Sequence, residues 1–244
     1  MMENSYLPET SSMQTIGLIG GMSWESTIPY YRIINETVKA RLGGLHSAKL
    51  VMHSVDFHEI ERLQHAGDWA GAGQAMAMAA RSIEAAGADF MVLCTNTMHK
   101  VAGTMEQAVT IPLLHIADPT AAAVRAQGLG RVGLLGTRFT MEQDFYRGRL
   151  QDRYGLEVVV PDAADRAVVH RIIYEELCLG QVLETSRLEY RRIIERLVVA
   201  GAEAVILGCT EIGLLIDADH AEVPVFDTTR IHAVSAAERA LGFP

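Results

Sequence analysis

Residues 204–213 read Ala-Val-Ile-Leu-Gly-Cys-Thr-Glu-Ile-Gly, and residues 90–99 read Phe-Met-Val-Leu-Cys-Thr-Asn-Thr-Met-His. Each is a short, continuously apolar run that ends in Cys-Thr and further polar side chains. Such a run suits a strand buried on both faces, as in a parallel sheet covered by helices. Its polar end is then the carboxyl end of the strand, where open α/β sheets bind their ligands. One such end in each half of the chain decides how the rest is read.

Other landmarks repeat in the same order. Thr15–Gly21 recurs as Arg131–Thr137, with Gly17 and Gly133 116 residues apart. Cys94 and Cys209 are 115 apart, the lead-ins Gly87-Ala88-Asp89 and Gly201-Ala202-Glu203 are 114 apart, and Ile111-Pro112 and Val223-Pro224 are 112 apart. Four landmarks at nearly one offset indicate an internal duplication, and a period this long means two equivalent domains rather than a solenoid.

Between the landmarks, strands and helices alternate. Gln14–Ile19, Lys49–Ser54, Phe90–Cys94 and Ile111–Ile116 read as strands of the first half. Ser23 and Ser26 are N-cap candidates, Pro29 suits a first helical turn, and Gly43-Gly44 stops that helix. Asp68 caps an alanine-rich helix that runs to Ala86. In the second half Val132–Leu135, Glu157–Val160 and Val205–Leu207 read as strands. Thr140-x-x-Gln143 and Ser186-x-x-Glu189 read as helix openings. Val168, Val169, Ile172, Ile173 and Leu177 trace one helix face ended by Gly180. Val223–Phe226 and a helix from Thr229 form a tail that returns to the first domain. The expected fold is α/β with two pseudo-symmetric domains, each a short parallel sheet flanked by helices, and the active site in the cleft between them. The first domain takes 13–117 plus 216–244 and the second 118–215, with Met1–Ser12 a disordered extension.

The chain has 244 residues, 49% hydrophobic and 21% charged, ordinary values for a globular protein with a substantial core. A net charge of −9 argues against nucleic acid or an acidic membrane as partner. No apolar run approaches a membrane span, and the polar, acidic start lacks the pattern of a signal peptide. Three cysteines without a Cys-x-x-Cys pair point to free thiols in a cytoplasmic, reducing compartment. Gly17-Leu-Ile-Gly20-Gly21 is not the dinucleotide fingerprint, and no phosphate loop occurs. His46, His53 and His58 form no ligand pattern and the cysteines lack zinc spacing, so neither metal nor cofactor is expected.

The chemistry concentrates at the two strand ends. Cys209, with Thr210 and Glu211 beside it, is the sharpest candidate. A thiolate is a competent general base, and the thiol it becomes can return a proton. Taken alone, it reads equally well as a small buried hydrophobe. Cys94, Thr95, Asn96, Thr97 and His99 offer a thiol, two hydroxyls, an amide and an imidazole in one loop, with backbone N–H groups suited to a carboxylate. His99 either orients the site or is a solvated helix residue. Cys178, between two leucines, reads as structural. Two proton-transfer groups facing each other across a cleft could act on both faces of one carbon.

Ile16-Gly-Leu-Ile-Gly-Gly-Met22-Ser-Trp-Glu, Asn96-Thr97-x-His99, Gly136-Thr137-x-x-Thr140 and Gly208-Cys209-Thr210-Glu211 together resemble the aspartate/glutamate racemase superfamily, over Gln14 to Ala240. The resemblance is strongest to its aspartate racemase and broad-specificity amino acid racemase branch. It implies racemisation without pyridoxal phosphate, in which one cysteine removes the α-proton of an amino acid and another group reprotonates the opposite face. It also implies carboxylate binding by Asn96, Thr97 and Thr210, with Met22, Ser23, Ser54, Thr137 and Glu211 completing the substrate-binding set, and a homodimer.

The family's first motif commonly reads Cys-Asn-Thr, whereas here Thr95 precedes Asn96 and Cys94 stands one residue earlier. Neighbouring side chains on a strand point to opposite faces, so only one of Cys94 and Thr95 aims at the substrate unless the strand end turns. Thr95 is the favoured one, leaving Cys209 as the only catalytic thiol. Arg62, Arg138 and Arg166 are candidate cations for a substrate's distal carboxylate. Two other readings use the same architecture: a decarboxylase or cis-trans isomerase of a dicarboxylic acid, and an amino acid binding protein without catalysis.

Overall fold

Two four-stranded parallel sheets, built in the same strand order, carry the chain; the computed structural model describes residues 13–243. Met1–Ser12, expected as a disordered extension, lie outside the described residues. The first half runs β1 (Ile16–Gly20), α1 (Trp24–Leu42), β2 (Leu50–Ser54), α2 (Phe57–Ala66), α3 (Trp69–Ala85), β3 (Phe90–Leu93), α4 (Ala102–Glu106), β4 (Leu113–Leu114) and α5 (Ala117–Ala126). The second runs β5 (Arg131–Gly136), α6 (Arg138–Glu142), α7 (Asp144–Tyr154), β6 (Glu157–Val159), α8 (Ala163–Glu175), α9 (Glu184–Val199), β7 (Ala204–Gly208), β8 (Val225–Asp227) and α10 (Thr228–Ala240). Sheet order is β2-β1-β3-β4 in one sheet and β6-β5-β7-β8 in the other, as a duplication requires.

The strands β1, β3 and β7 are buried along their whole length, which is why their sequences are apolar without alternation. Glycines at equivalent positions let one helix lie close on each sheet. A Cβ on Gly17 would stand 2.6 Å from Ile83 of α3, and one on Gly133 would stand 3.0 Å from Leu197 of α9. Helices cover both faces, and the core divides into apolar clusters on either side of each sheet.

Several local expectations need correcting. Val225–Asp227 hydrogen-bonds to β7, so this strand completes the second sheet instead of returning to the first. Only α10 returns, laying Ala233, Ala236, Ala237 and Ala240 against Tyr30, Ile33, Ile34 and Val38. Small side chains on one helix let α1 and α10 approach closely. The helix after β5 is capped by Thr137, not Thr140, and breaks at the extended Gln143 before α7. Pro29 lies beyond the first turn of α1, because the helix already starts at Trp24. Ser186 lies inside α9, where its hydroxyl is drawn to the carboxylate of Glu176. Helix α2 was not anticipated, although Asp56 caps it and Gly67 closes it in the left-handed conformation.

Candidate active site

The carboxyl ends of the two sheets meet between the domains, joined by hydrogen bonds from Ser23 to Glu211 and between Thr97 and Thr137. After β7 the chain turns through Cys209, Thr210 and Glu211, which are 7%, 3% and 2% exposed. The Cys209 thiol donates to Glu211 Oε2 at 2.9 Å, and the Thr210 hydroxyl donates to the same oxygen at 2.9 Å. The other oxygen, Oε1, accepts from the Ser23 backbone N–H at 3.0 Å and the Ser23 hydroxyl at 2.8 Å. Ser23 belongs to the loop between β1 and α1, so one buried carboxylate ties the two domains together. That loop is held in turn by Thr27, whose hydroxyl accepts from Gly21 N and donates to Ser23 O, both at 2.9 Å. Ser23 occupies the N-cap position of α1 but directs its side chain to Glu211 rather than to its own helix.

Burial, and after it the charge of Glu211, push the Cys209 thiol well above its ordinary pKa. In this closed arrangement Cys209 is therefore a neutral thiol, a proton donor. Cys178, read from sequence as structural, packs against the apolar cluster that contains Cys209.

The loop after β3 supplies the facing side. Cys94 is fully buried among Phe90, Val92 and the alanines of α10, so it is part of the core, and burial pushes its thiol up as well. The alternative in which Cys94 reaches the substrate is corrected on this point: strand alternation turns its side chain into the α1–α10 layer. Thr95 follows, 7% exposed, with a hydroxyl that takes no protein partner among the described residues. Its carbonyl accepts from His99 Nδ1 at 2.8 Å. Because Ile116 N donates to His99 Nε2 at 3.2 Å, the ring proton must lie on Nδ1. His99 is thus a buried positioning residue rather than a solvated one.

His99 belongs to a trio. Its ring centroid lies 4.4 Å from that of His115 and 6.1 Å from that of His232. Burial holds His99 well below the ordinary histidine range, His115 at about 3 and His232 at about 4. His232 donates to Leu114 O at 2.8 Å, and its other nitrogen accepts from the Tyr30 hydroxyl at 2.9 Å.

Asn96 and Thr97 reach across the domain boundary. Asn96 Nδ2 donates to the Thr228 hydroxyl at 3.1 Å, which itself donates to Leu207 O at 2.7 Å. This chain of donors fixes the amide orientation and leaves Asn96 Oδ1 buried without a partner among the described residues. Thr97 and Thr137 share a hydrogen bond of 3.0 Å between their hydroxyls. Two expected residues stand apart from this cluster. Met22 packs into the core with Ile19, Ile60 and Met98, and Ser54 is exposed at the end of β2. Arg166 is engaged by Glu142 at 2.8 Å and by Pro161 O at 2.7 Å.

The clasp that closes the cleft went unread in the sequence. Tyr174 of α8 donates to Gln64 Oε1 of α2 at 2.9 Å, and Gln64 donates to Met98 Sδ at 3.1 Å. The Tyr174 ring stacks on Phe57 at 6.5 Å and meets His65 edge-on at 5.5 Å. Trp69 of α3 meets Phe139 of α6 edge-on at 5.2 Å. Burial, and after it the Cys209 thiol, raise the Tyr174 phenol above its ordinary value. A signal existed: His170 and Tyr174 form a polar stripe, four residues apart, beside the apolar face of α8.

A family profile described as Asp/Glu/Hydantoin racemase matches residues 19–236. The chain is 62% identical to a candidate Asp/Glu racemase from Yersinia pestis, whose crystal structure superposes with a TM-score of 0.87 over 94% of this chain and 100% of that one. An aspartate racemase homologue from Pyrococcus horikoshii OT3 is 36% identical, with a TM-score of 0.80 over 93% and 99% of the two chains. The broad specificity amino-acid racemase RacX of Bacillus subtilis (strain 168) is 24% identical over 93% of this chain and 99% of its own length. The duplicated sheets, the two strand-end motifs and these relatives lead to one assignment: the chain belongs to the Asp/Glu/hydantoin racemase family, in its aspartate and broad-specificity branch.

Proposed function

We propose that the protein is a cofactor-independent amino acid racemase that interconverts L- and D-enantiomers, with glutamate and aspartate first among the substrates to be tried. The observation that carries this reading is that buried hydrogen bonds join the carboxyl ends of the two sheets, linking Cys209, Thr210 and Glu211 with Ser23, and Thr97 with Thr137. Cys209 removes the α-proton on one face. The Thr95 hydroxyl serves the other face as a relay, giving its proton to Cα while taking one from water. Thr97 and Thr137 supply hydroxyls for the substrate carboxylate, stabilising the charge that develops at Cα, whereas Thr210, expected in the same role, has its one hydroxyl proton committed to Glu211. Asn96 was expected to bind the carboxylate, but the atom it has free is an acceptor, which suits the substrate ammonium.

Free thiols at Cys94, Cys178 and Cys209 suit a reducing, cytoplasmic setting. Among the described residues no helix is long and apolar enough to cross a membrane. The homodimer implied by the resemblance is carried as part of this proposal, to be decided by sedimentation of the full chain.

Proton NMR in D₂O with a panel of L-amino acids, alongside chiral analysis, tests the reading. Loss of the α-proton signal with appearance of D-product, abolished in Cys209→Ser, supports it and names the substrate. Absence of exchange with every amino acid would sink it. Release of CO₂ or isomerisation of a dicarboxylic acid would then favour the decarboxylase or isomerase reading, and tight binding without exchange the non-catalytic one.

A further inference from the structure

We propose that Glu211 is the proton acceptor for the Cys209 thiol, taking the proton directly from sulfur so that the sulfur can act on Cα. This deepens the racemase reading and rests on it. Glu211 Oε2 stands 2.9 Å from Cys209 Sγ. The carboxylate cannot swing away, because Ser23 and Thr210 fill its remaining acceptor positions from both domains. No Lys or Arg among the described residues pairs with it. The other titratable groups that feel its charge are Tyr30, Tyr174, Tyr190 and Cys178, and burial holds all four in their neutral forms. Among the described residues, Glu211 is thus the one base in contact with the thiol.

Electrostatics makes this route necessary. Losing the thiol proton to solvent would place a second negative charge beside Glu211 in a buried site, which burial and like charge both oppose. Internal transfer avoids that cost, since the pair carries one negative charge before and after it. The S–H bond breaks with its electron pair left on sulfur, and an O–H bond forms at Oε2. The sulfur then takes the Cα proton, S–H re-forms, and the C–H electron pair stays on Cα. Thr95 delivers a proton to the opposite face and recovers one from water, and the hydroxide so formed is neutralised by the Glu211 proton when the cleft opens.

Two substitutions in the full chain test this, each with two readouts: kcat and KM across pH, and iodoacetamide labelling of Cys209 across pH, located by peptide mass. Glu211→Gln keeps the shape and an acceptor for Ser23 but cannot hold the proton. Its kcat is expected to fall roughly 10²–10⁴-fold near neutral pH with little change in KM. Its activity should then climb with pH as the lone thiol ionises, whereas the wild-type profile stays flat. Its labelling should shift to lower pH, because the opposing charge has gone. Glu211→Asp, which retains an acid, should keep the flat profile at a reduced rate. Wild-type activity in Glu211→Gln, or a loss whose pH profile superimposes on the wild type, would overturn the proposal and leave Glu211 as a domain tie. A sloped profile in Glu211→Asp would also count against it. Should the wild type itself exchange no α-proton, the racemase reading fails, and the labelling profile alone decides the Cys209–Glu211 relation.

Discussion

A single residue of register separates the side chain proposed to act on Cα from a core one at the end of β3. Cys94 is fully buried against α10, and the Thr95 hydroxyl takes no protein partner among the described residues. Cys94→Ser is expected to keep kcat near wild type while losing about 1–3 kcal/mol of stability, the cost of an unpaired hydroxyl in an apolar site. Thr95→Ala should lose kcat by 10²-fold or more, in the range of a lost general acid-base group. The reverse pattern, activity lost in Cys94→Ser and kept in Thr95→Ala, would exchange their roles. A thiol facing a hydroxyl also means unequal kcat and KM values from the two enantiomers, although kcat/KM must agree because the enantiomers have equal free energy. Alternation of side chains made it legible in the sequence that Cys94 and Thr95 face opposite ways. The bond from Ser23 to Glu211 was not, because it joins residues 188 apart whose approach depends on how the domains close. Met22 misled for a related reason: a residue in a signature stretch can be there for packing.

At the scale of elements, most of the architecture was written in the repeated Gly-ended apolar runs, because a strand covered on both faces has no polar residues to hide its pattern. What escaped was short or shared. Strand β4, expected over Ile111–Ile116, has only two residues, α6 stops after five, and β8 joins the sheet its offset implies while the helix after it crosses to the other domain. The histidine trio beneath the Thr95 loop was equally invisible, since its members come from the 3-10 turn after β3, the end of β4 and α10. It has a consequence for stability. These rings stay neutral in the fold, while in the unfolded chain they titrate near 6.5. As the pH falls below about 6.5, the unfolded chain takes up protons that the fold refuses, so stability is full above that value and drains away through about 4 for His232 and about 3 for His115. The expected loss is about 1.4 kcal/mol per pH unit for each histidine, or about 2 kcal/mol each by about pH 5. Urea unfolding at about pH 7 and about pH 5 measures it, and His115→Gln should reduce the loss. An identical pH dependence in the wild type and that variant would clear the trio of responsibility.

The whole molecule is seen closed. Thr210, Asn96 and Thr97 are buried, and contacts from Ser23 to Glu211, Thr97 to Thr137 and Tyr174 to Gln64 all cross the cleft. A substrate can reach those side chains only if the domains part, and closure afterwards keeps bulk water from the charge that develops at Cα. Of the crossing contacts, Tyr174–Gln64 involves none of the proposed carboxylate donors, so it can be altered without removing one of them. In Tyr174→Phe the closed form leaves Gln64 Oε1 buried and unpaired, whereas in the open form water satisfies it. That difference is worth about 1–2 kcal/mol against closure, or roughly a 5- to 30-fold rise in the open population. The ring contacts with Phe57 and His65 remain, so the fold itself should be little affected. Iodoacetamide labelling of Cys209 without substrate should therefore accelerate by that same factor, since the thiol is accessible only when the cleft opens. Substrate would slow labelling in both proteins, and KM should rise in the variant because closure is driven by substrate binding energy. Unchanged labelling would mean that Tyr174 does not hold the domains together and that the ties through Glu211 and Thr137 suffice.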